Sequence, residues 1–262
     1  MVIFSVFSGP VPSDGSQVWR YMSFVSFVSL LQRRELFFCR PECFEDPFEG
    51  AMPPAIARLY SAEEAENQTV GGSDKLWKLA MLLRRQREEA GFFRVRRLVN
   101  CWHMNDCESA AMWKLYGDNS SVAIQSTKIR LMKGFDAEGS SVSISPVTYF
   151  DYSLNDLSSI PLSPDAGLPE QYKLMITPDF CFKRKSFEHE RELRVTASEV
   201  EGAHTEGAGK YIRVNLEALM EKVYVSPLAP AWVADVVRQE MNQYGLSAQE
   251  VVHSTLYTER LA

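Results

Sequence analysis

The segment K-R-K-S-F-E-H-E-R-E-L-R, Lys183 to Arg194, carries eight formally ionised residues in twelve positions and runs directly into Val195. Read as a β-strand, it places every second side chain on the same face. Four ionisable side chains then share one face: Glu188, Glu190, Glu192 and Arg194. Neighbouring carboxylates raise one another's pKa, whereas an arginine within reach lowers it.

Two interpretations of this segment are open. It is either a surface element with a solvated charged face or a half-buried strand that directs carboxylates to one place. Apolar and aromatic neighbours favour the second interpretation: Phe180, Phe182, Phe187, Leu193 and Val195. A half-buried strand with converging carboxylates is a candidate functional site.

Length and composition predict one large globular domain. The chain has 262 residues, of which 45% are hydrophobic and 24% are charged, enough for a substantial core. The net charge of −6 argues against a broad nucleic-acid-binding face, because phosphate contacts need clustered lysine and arginine. A local basic segment does occur at Arg84–Arg97.

The cysteine pattern and the lack of a long apolar run predict a cytoplasmic protein with reduced thiols. Five cysteines, an odd number, do not suit a secreted disulfide framework. No run of about 18 apolar residues occurs. The spacing Cys101-x-His103-x3-Cys107 matches no common zinc motif, so no metal site is predicted.

Many short strand patterns with irregularly placed helices predict an α+β fold with a mixed, mostly antiparallel sheet. Residues 1–18 are interpreted as an N-terminal arm, and 19–262 as a single domain with a helical insertion at about 51–92. Helices are predicted over Phe24–Gln32, Ala110–Tyr116, Lys128–Lys133, Leu216–Leu219 and Pro230–Tyr244. Strands are predicted over Glu35–Arg40, Val95–Met104, Ser121–Gln125, Ser141–Tyr152, Lys210–Val214 after a hairpin tip, Glu221–Ser226 and Val251–Leu256.

The motif F-E-D-P-F-E, Phe44 to Glu49, is the second charged feature. Asp-Pro favours a turn, because the residue before proline is driven out of the α region. Two phenylalanines can anchor the loop while Asp46 and Glu49 project from it. The alternative is a plain surface turn pinned by aromatic residues.

Four segments in this order resemble the bacterial family known as domain of unknown function 2971. They are W-R-Y-M-S with L-F-F-C-R-P-E-C-F-E-D-P-F-E, then C-W-H-M-N-D-C-E-S-A-A-M-W-K-L-Y-G, then F-K-R-K-S-F-E-H-E-R-E-L-R, and finally V-Y-V-S-P. The resemblance spans about 19 to 256. It implies these marked positions: Tyr21, Asp46, Pro47, Glu49, Cys101, Met112, Trp113, Tyr116, Glu190, Glu192 and Arg194. The chain departs from the family pattern at His103, where the family has serine, and at Phe187, where it has tryptophan; the resemblance implies no reaction.

The first functional hypothesis is an enzyme that uses NAD as an ADP-ribosyl donor, because the layout is loosely similar to the ADP-ribosyltransferase superfamily. The resemblance implies Glu192, Glu190 and His103 as catalytic residues. Breaking the nicotinamide–ribose bond develops an oxocarbenium-like cation that a carboxylate stabilises. NAD would be the co-substrate, bound by Arg20, Tyr21, Asp46, Glu49, Trp113, Tyr116 and Arg194. The acceptor would be a small molecule, a protein or a nucleic acid.

Two hypotheses from other classes remain. In a non-catalytic binding or interaction module, Glu190, Glu192 and Arg194 would form a buried ion network with Arg20 or Arg40. In a metal-dependent nucleotide or nucleic-acid hydrolase, carboxylates would hold magnesium. The candidate ligands are Asp46, Glu49, Glu190 and Glu192.

Three spatial predictions follow from these patterns. Asp46 and Glu190 should converge on one region although more than 140 residues separate them. Met112 and Trp113 should lie in the core. Glu192 should be the functional carboxylate in preference to Glu188, because it is flanked by Leu193 and the apolar continuation of the strand.

Overall fold

The computed structural model describes residues 2–4, 12–49, 97–139, 142–153, 181–198 and 207–257. Its strands are β1 (Val2–Phe4), β2 (Gln17–Met22), β3 (Glu35–Cys39), β4 (Arg97–Met104), β5 (Val122–Thr127), β6 (Val142–Pro146), β7 (Thr148–Phe150), β8 (Phe182–Arg184), β9 (Glu192–Ser198), β10 (Gly209–Arg213), β11 (Lys222–Val225) and β12 (Glu250–His253). Its α-helices are α1 (Phe24–Arg33), α2 (Ala110–Tyr116), α3 (Lys128–Asp136), α4 (Leu216–Leu219) and α5 (Ala231–Gln243). Short 3-10 turns span Pro41–Cys43 and Lys185–Glu190.

Ten of these strands form one mixed sheet in the order β1-β6-β9-β4-β2-β5-β11-β12, with β3 joined to β4 and β10 joined to β3. Within that sheet β1 pairs with β6 and β11 pairs with β12 in parallel, and the other described pairs are antiparallel. Strands β7 and β8 form a separate parallel pair. The predicted α+β class with a mostly antiparallel sheet is confirmed. The helical insertion predicted at about 51–92 lies outside the described residues.

The sheet has two different faces. One face packs against α1, α3, α4 and α5 in a large apolar core that includes Phe27, Leu131, Leu219 and Val237. The other face carries Trp19, His103 and Glu192, which lie side by side on β2, β4 and β9. This second face, called the site face below, has its own small aromatic cluster with α2.

Strand β4 is a branch point, because β2 pairs with its end and β3 pairs with its start. Polar side chains satisfy the backbone where the two neighbours diverge. The Arg20 guanidinium donates to the Cys101 carbonyl at 2.6 Å. The Asn100 amide donates to the Phe37 carbonyl at 2.8 Å and accepts from the Trp102 indole at 2.8 Å. The divergence therefore leaves these buried groups hydrogen-bonded.

Local side-chain signals mark helix starts, and the helix ends differ from the predicted ones by up to three residues. Ser23 caps α1 by accepting from the Ser26 amide at 3.2 Å, and Arg34 ends it in the left-handed region at φ 55°. Ser109 caps α2 by accepting from the Met112 amide at 3.4 Å. The predicted helix Ala110–Tyr116 is confirmed. In the part of the chain that the structure describes, no helix is long and apolar enough to cross a membrane.

The interpretation of Lys183–Arg194 as one continuous strand is wrong. Strand β8 ends at Arg184, a 3-10 turn follows, and β9 begins only at Glu192. The turn closes at Arg191, which takes the left-handed conformation at φ 42° and donates its amide to the Glu188 carbonyl at 3.2 Å. The reversal removes the period-two alternation, so Glu188 is exposed while Glu190 is buried.

Residues 2–4, within the predicted N-terminal arm, form β1 beside β6. Two further strand predictions need correction. The strand predicted over Ser141–Tyr152 is split at Val147, whose amide donates to the Glu192 carbonyl at 2.9 Å. Strand β10 returns to β3 rather than forming a hairpin with β9, and the rings of Phe37 and Tyr211 pack across that pair at 5.1 Å.

Candidate functional site

Five ionisable side chains from four elements converge on the site face, and they are called the ionic cluster below. Its members are Glu49 from the loop after β3, Lys183 from β8, Glu190 from the 3-10 turn, and Glu192 and Arg194 from β9. Each is at most 7% exposed. Charges this deeply buried persist only when they are paired, so their contacts decide their ionisation.

Lys183 is the hub of the ionic cluster. Its ammonium nitrogen lies 2.5 Å from Glu190 Oε2, 2.8 Å from Glu192 Oε1 and 3.0 Å from Glu49 Oε1. Burial lowers the pKa of Lys183, but the charges of Glu192 and Glu49 outweigh burial and raise it overall. Lys183 is therefore a permanent cation.

Arg194 is the second cation. Its Nε lies 2.5 Å from Glu192 Oε2, and its terminal nitrogen lies 3.0 Å from Glu49 Oε2. Burial opposes its charge, yet Glu192 and other neighbours including Glu49 keep its pKa well above the ordinary arginine value. Phe44 covers the guanidinium at 5.7 Å.

The ionic cluster contains three carboxylates and two cations, and Glu190 is the carboxylate in excess. Glu49 and Glu192 each contact both Lys183 and Arg194, whereas Glu190 contacts only Lys183 among the described cations. Burial and then Glu192 raise the pKa of Glu190 to about 7, against the attraction of Lys183. Burial would also raise the pKa of Glu192, but Arg194, the hydrogen bond with Glu190 and Lys183 bring it well below its usual range.

The pKa values of Glu190 and Glu192, two carboxyl groups in contact, are thus shifted in opposite directions. Such separation of two neighbouring groups is the usual signature of an acid–base pair in which one member exchanges a proton near neutral pH and the other stays ionised.

Tyr116 connects Glu190 to solvent. Its hydroxyl donates to Glu190 Oε1 at 3.4 Å, and its side chain is 49% exposed. Burial, followed by the charge of Glu190, raises the pKa of the phenol, so Tyr116 stays a hydrogen-bond donor. Tyr116 therefore provides a hydrogen-bonded connection from buried Glu190 to the surface.

His103 holds the backbone of Glu190 from the other side. Its Nδ1 lies 2.7 Å from the Glu190 carbonyl oxygen, which can only accept, so Nδ1 carries the hydrogen. Burial lowers the pKa of His103 and keeps the ring neutral. Its Nε2 is then a bare acceptor, buried without a hydrogen-bond partner in the described part of the chain.

The FEDPFE loop joins the same region. Asp46 accepts from Arg184 Nε at 3.1 Å and from its terminal nitrogen at 2.9 Å. Glu49 of the same loop contacts Lys183 and Arg194, so the loop meets the segment that carries Glu190. The convergence of Asp46 itself with Glu190 stays a prediction.

The remaining predicted site residues lie at the periphery. Tyr21 accepts from the Ser109 amide at 2.7 Å, and its ring packs edge-on against Trp113 at 5.0 Å. Trp113 donates from its indole to Glu108 at 2.8 Å. Met112 and Trp113 are 7% and 5% exposed, which confirms that both belong to the core.

Arg20 lies apart from the ionic cluster. It sits opposite Ile124, whose side chain belongs to the large apolar core. Its described contact is with a carbonyl, whereas the cations that pair with Glu190 and Glu192 are Lys183 and Arg194. A network built on Arg20 is therefore replaced by one built on Lys183.

Sequence reasoning missed Lys183, Arg184 and Tyr149. Lys183 stands beside two other cations in the sequence, which made it look like part of a solvated basic run. The aromatic residues around it, Phe182 among them, are the sequence signal of its burial. Tyr149 accepts from the Glu192 amide at 2.9 Å and thereby fixes the start of β9.

The magnesium hypothesis gains no support from this geometry. Among the described residues, no group of three or more His, Cys, Asp or Glu side chains is placed to hold a metal ion. The carboxylates proposed as ligands are paired with Lys183, Arg184 and Arg194 instead.

No family model, curated protein or solved structure matches the chain. The resemblance to domain of unknown function 2971 and to the ADP-ribosyltransferase superfamily therefore stays a prediction.

Proposed function

We propose that the chain is an enzyme that cleaves the nicotinamide–ribose bond of NAD and transfers the ADP-ribosyl group, with Glu190 as its general base. The observation that carries the proposal is the position of Glu190. It is the third carboxylate in a cluster with two cations, and it touches a half-exposed tyrosine. A carboxyl group with a pKa of about 7 is suited to accept a proton at neutral pH.

The proposed step balances in atoms and electrons. The bond between the ribose C1′ and the nicotinamide nitrogen breaks, and its electron pair goes to the ring nitrogen, so nicotinamide leaves as a neutral molecule. An acceptor oxygen, from water or an alcohol, forms a bond to C1′, and its proton passes to the Glu190 carboxylate. The partly formed oxocarbenium ion is stabilised by the negative charge of the carboxylate beside it.

The neighbours of Glu190 have supporting roles in this proposal. Lys183 and the ionised Glu192 fix the carboxyl group, and His103 fixes its backbone. The Tyr116 ring offers an aromatic surface for the nicotinamide. NAD is chosen as the substrate because the order of His103 and the late carboxylates along the chain resembles the superfamily named above. Arg20 lies apart from the ionic cluster and has no role in the proposed step.

The test measures the rate at which nicotinamide is released from NAD, by chromatography. It compares the wild type with Glu190→Gln and Glu188→Gln. We expect Glu190→Gln to lose about a hundredfold or more in rate, the scale of one positioned acid–base group. Glu188 is exposed and serves as the matched control, so its variant should keep the wild-type rate. The wild-type rate should rise with pH to a plateau with an apparent pKa of about 7.

Three results would overturn the proposal. They are no nicotinamide release by the folded wild type, equal rates for Glu190→Gln and the wild type, and a rate that falls as pH rises through this range. The last result would assign Glu190 as an acid rather than a base.

A second candidate function is a non-catalytic binding module. The observation in its favour is that every carboxylate of the ionic cluster has a cation partner, and the pairs cross-link the FEDPFE loop, β8 and β9. Such a network serves stability without chemistry. Unchanged melting temperatures of the wild type with saturating NAD and with ADP-ribose, together with no turnover, would favour this candidate.

A further inference from the structure

A second charged arrangement lies beside the ionic cluster and is called the Arg184 clamp below. Asp46, which is 9% exposed, accepts hydrogen bonds from Arg184 Nε at 3.1 Å and from Arg184 Nη2 at 2.9 Å. The guanidinium carbon also lies 4.9 Å from the ring centre of Phe48 and 5.4 Å from that of Phe187. One carboxylate and two aromatic rings therefore fix the orientation of this arginine.

The Arg184 clamp leaves one end of the guanidinium unused. Asp46 engages Nε and Nη2, and Nη1 has no hydrogen bond to any described residue. The side chain is 36% exposed, in contrast to Asp46 below it, and Phe48 is 45% exposed. Both hydrogens of Nη1 are thus available to a ligand.

A fixed arginine with a free terminal nitrogen is suited to an oxyanion. The planar guanidinium binds phosphate oxygens through charge-assisted hydrogen bonds. Because Asp46 and the two rings already order the Arg184 side chain, a ligand that binds it loses little further side-chain entropy. The clamp is one residue along β8 from Lys183, the cation that contacts the carboxylate proposed as the base.

We propose that the Arg184 clamp is a phosphate subsite that binds the diphosphate of the nucleotide substrate, an assignment that rests on the proposed function for the identity of that substrate. The subsite takes one phosphate oxygen at Nη1, while Asp46 holds the opposite end of the guanidinium. Arg184 is a binding residue and takes no part in the bond changes.

The test is calorimetric titration with inorganic pyrophosphate and with ADP-ribose, which contains the diphosphate and lacks the nicotinamide. Arg184→Lys keeps the charge and removes the fork, so we expect it to weaken both ligands about tenfold to a hundredfold. Lys185→Gln removes a neighbouring exposed charge and is the matched control, expected to change affinity less than about twofold. Equal weakening by the two variants would overturn the subsite in favour of a diffuse charge effect, and so would failure of the wild type to bind either ligand.

A second measurement does not depend on a variant that folds. In wild-type protein with isotope-labelled arginine, addition of pyrophosphate should shift the Arg184 side-chain resonance, and an unshifted resonance at saturation would contradict the subsite. The two proposals fail separately. Binding of ADP-ribose through Arg184 without cleavage of NAD would support the phosphate subsite and contradict the proposed enzyme activity. NAD cleavage at the wild-type rate in Arg184→Lys would support the enzyme activity and contradict the subsite.

Discussion

At the scale of single residues, charge balance decides which carboxylate exchanges a proton. Lys183 and Arg194 neutralise two carboxylates, and Glu49 and Glu192 contact both of these cations. Glu190 has only a shared contact with Lys183, so its ionisation leaves one uncompensated negative charge in a buried region. The same reasoning assigns Glu192 to the support of the cluster and moves the acid–base role proposed for it to Glu190.

Glu190→Gln should change stability in a pH-dependent way. The pKa of Glu190 is raised from 4.5 to about 7 in the folded protein, so the stability contributed by its protonated form is complete below 4.5 and is lost as pH rises through about 7. Glutamine stays neutral, so at about pH 8 the variant should be more stable than the wild type by about 1 to 2 kcal/mol, after part of the shift is discounted for solvent screening. At about pH 4 the two should be equal.

Urea denaturation at both pH values measures this difference, and Glu188→Gln at the exposed position should follow the wild type. A Glu190→Gln variant that is less stable than the wild type at high pH would show that ionised Glu190 is a stabilising partner of Lys183.

Glu192→Gln should be destabilising by about 3 kcal/mol, because it removes a carboxylate that bridges both buried cations. It should also lower the pKa of Glu190. Glu49 and Glu190 are then the two carboxylates left in the cluster, and both are needed as anions to balance Lys183 and Arg194. Chemical denaturation together with carboxyl titration tests both effects. An unchanged Glu190 pKa in this variant would refute the charge-balance account.

At the scale of elements, α2 attaches Tyr116 to the site through a buried aromatic ring. Trp113 packs on Tyr21 and bonds Glu108. Trp113→Ala should cost about 3 to 5 kcal/mol in unfolding free energy, the usual range for deleting a buried large side chain. Leu115→Ala, at a position that is 55% exposed on the same helix, should stay within about 0.5 kcal/mol of the wild type. A small effect of Trp113→Ala on urea denaturation would contradict the packing role of the ring.

Elements with local signals were predictable from the sequence, and elements that depend on distant partners were not. Ser23 and Ser109 mark helix starts through their own side chains. The 3-10 turn at Lys185–Glu190 has no such signal, because its end depends on Arg191 adopting a left-handed conformation that arginine rarely prefers. The contact of Glu190 with Lys183 follows from that turn, and strand alternation could not reveal it.

At the scale of the whole molecule, the sheet divides at β4 into two arms, one of β3 and β10 and the other of β2, β5, β11 and β12. Asn100 on β4 stabilises the junction with β3. Its amide bonds Phe37 on β3 and the indole of Trp102. Asn100→Ala would leave a carbonyl and an indole N–H unpaired in the interior, at a cost of about 2 to 4 kcal/mol.

Hydrogen exchange should show faster exchange in β3 and β10 than in β5 and β11 for this variant, because the loss is local to one arm. Asn242→Ala, at an exposed position of α5, is the matched control and should leave both arms unchanged. Equal acceleration of both arms would contradict the role of Asn100 at the branch.

The whole-molecule prediction succeeded in fold class and in the convergence of distant charged segments. Alternation of apolar residues is a local pattern, so the sequence alone predicts where the strands of the sheet lie. Strand order is not local: the pairing of β10 with β3 and the parallel addition of β1 to β6 depend on partners about 100 or more residues away, with no turn motif to announce them.

The most direct test of the central claim is titration of the Glu190 carboxyl by NMR in protein with isotope-labelled glutamate, with the signal assigned by its absence in Glu190→Gln. The charge-balance account predicts a midpoint at about 7 for Glu190. A Glu190 midpoint near the ordinary glutamate value of 4.5 would contradict it.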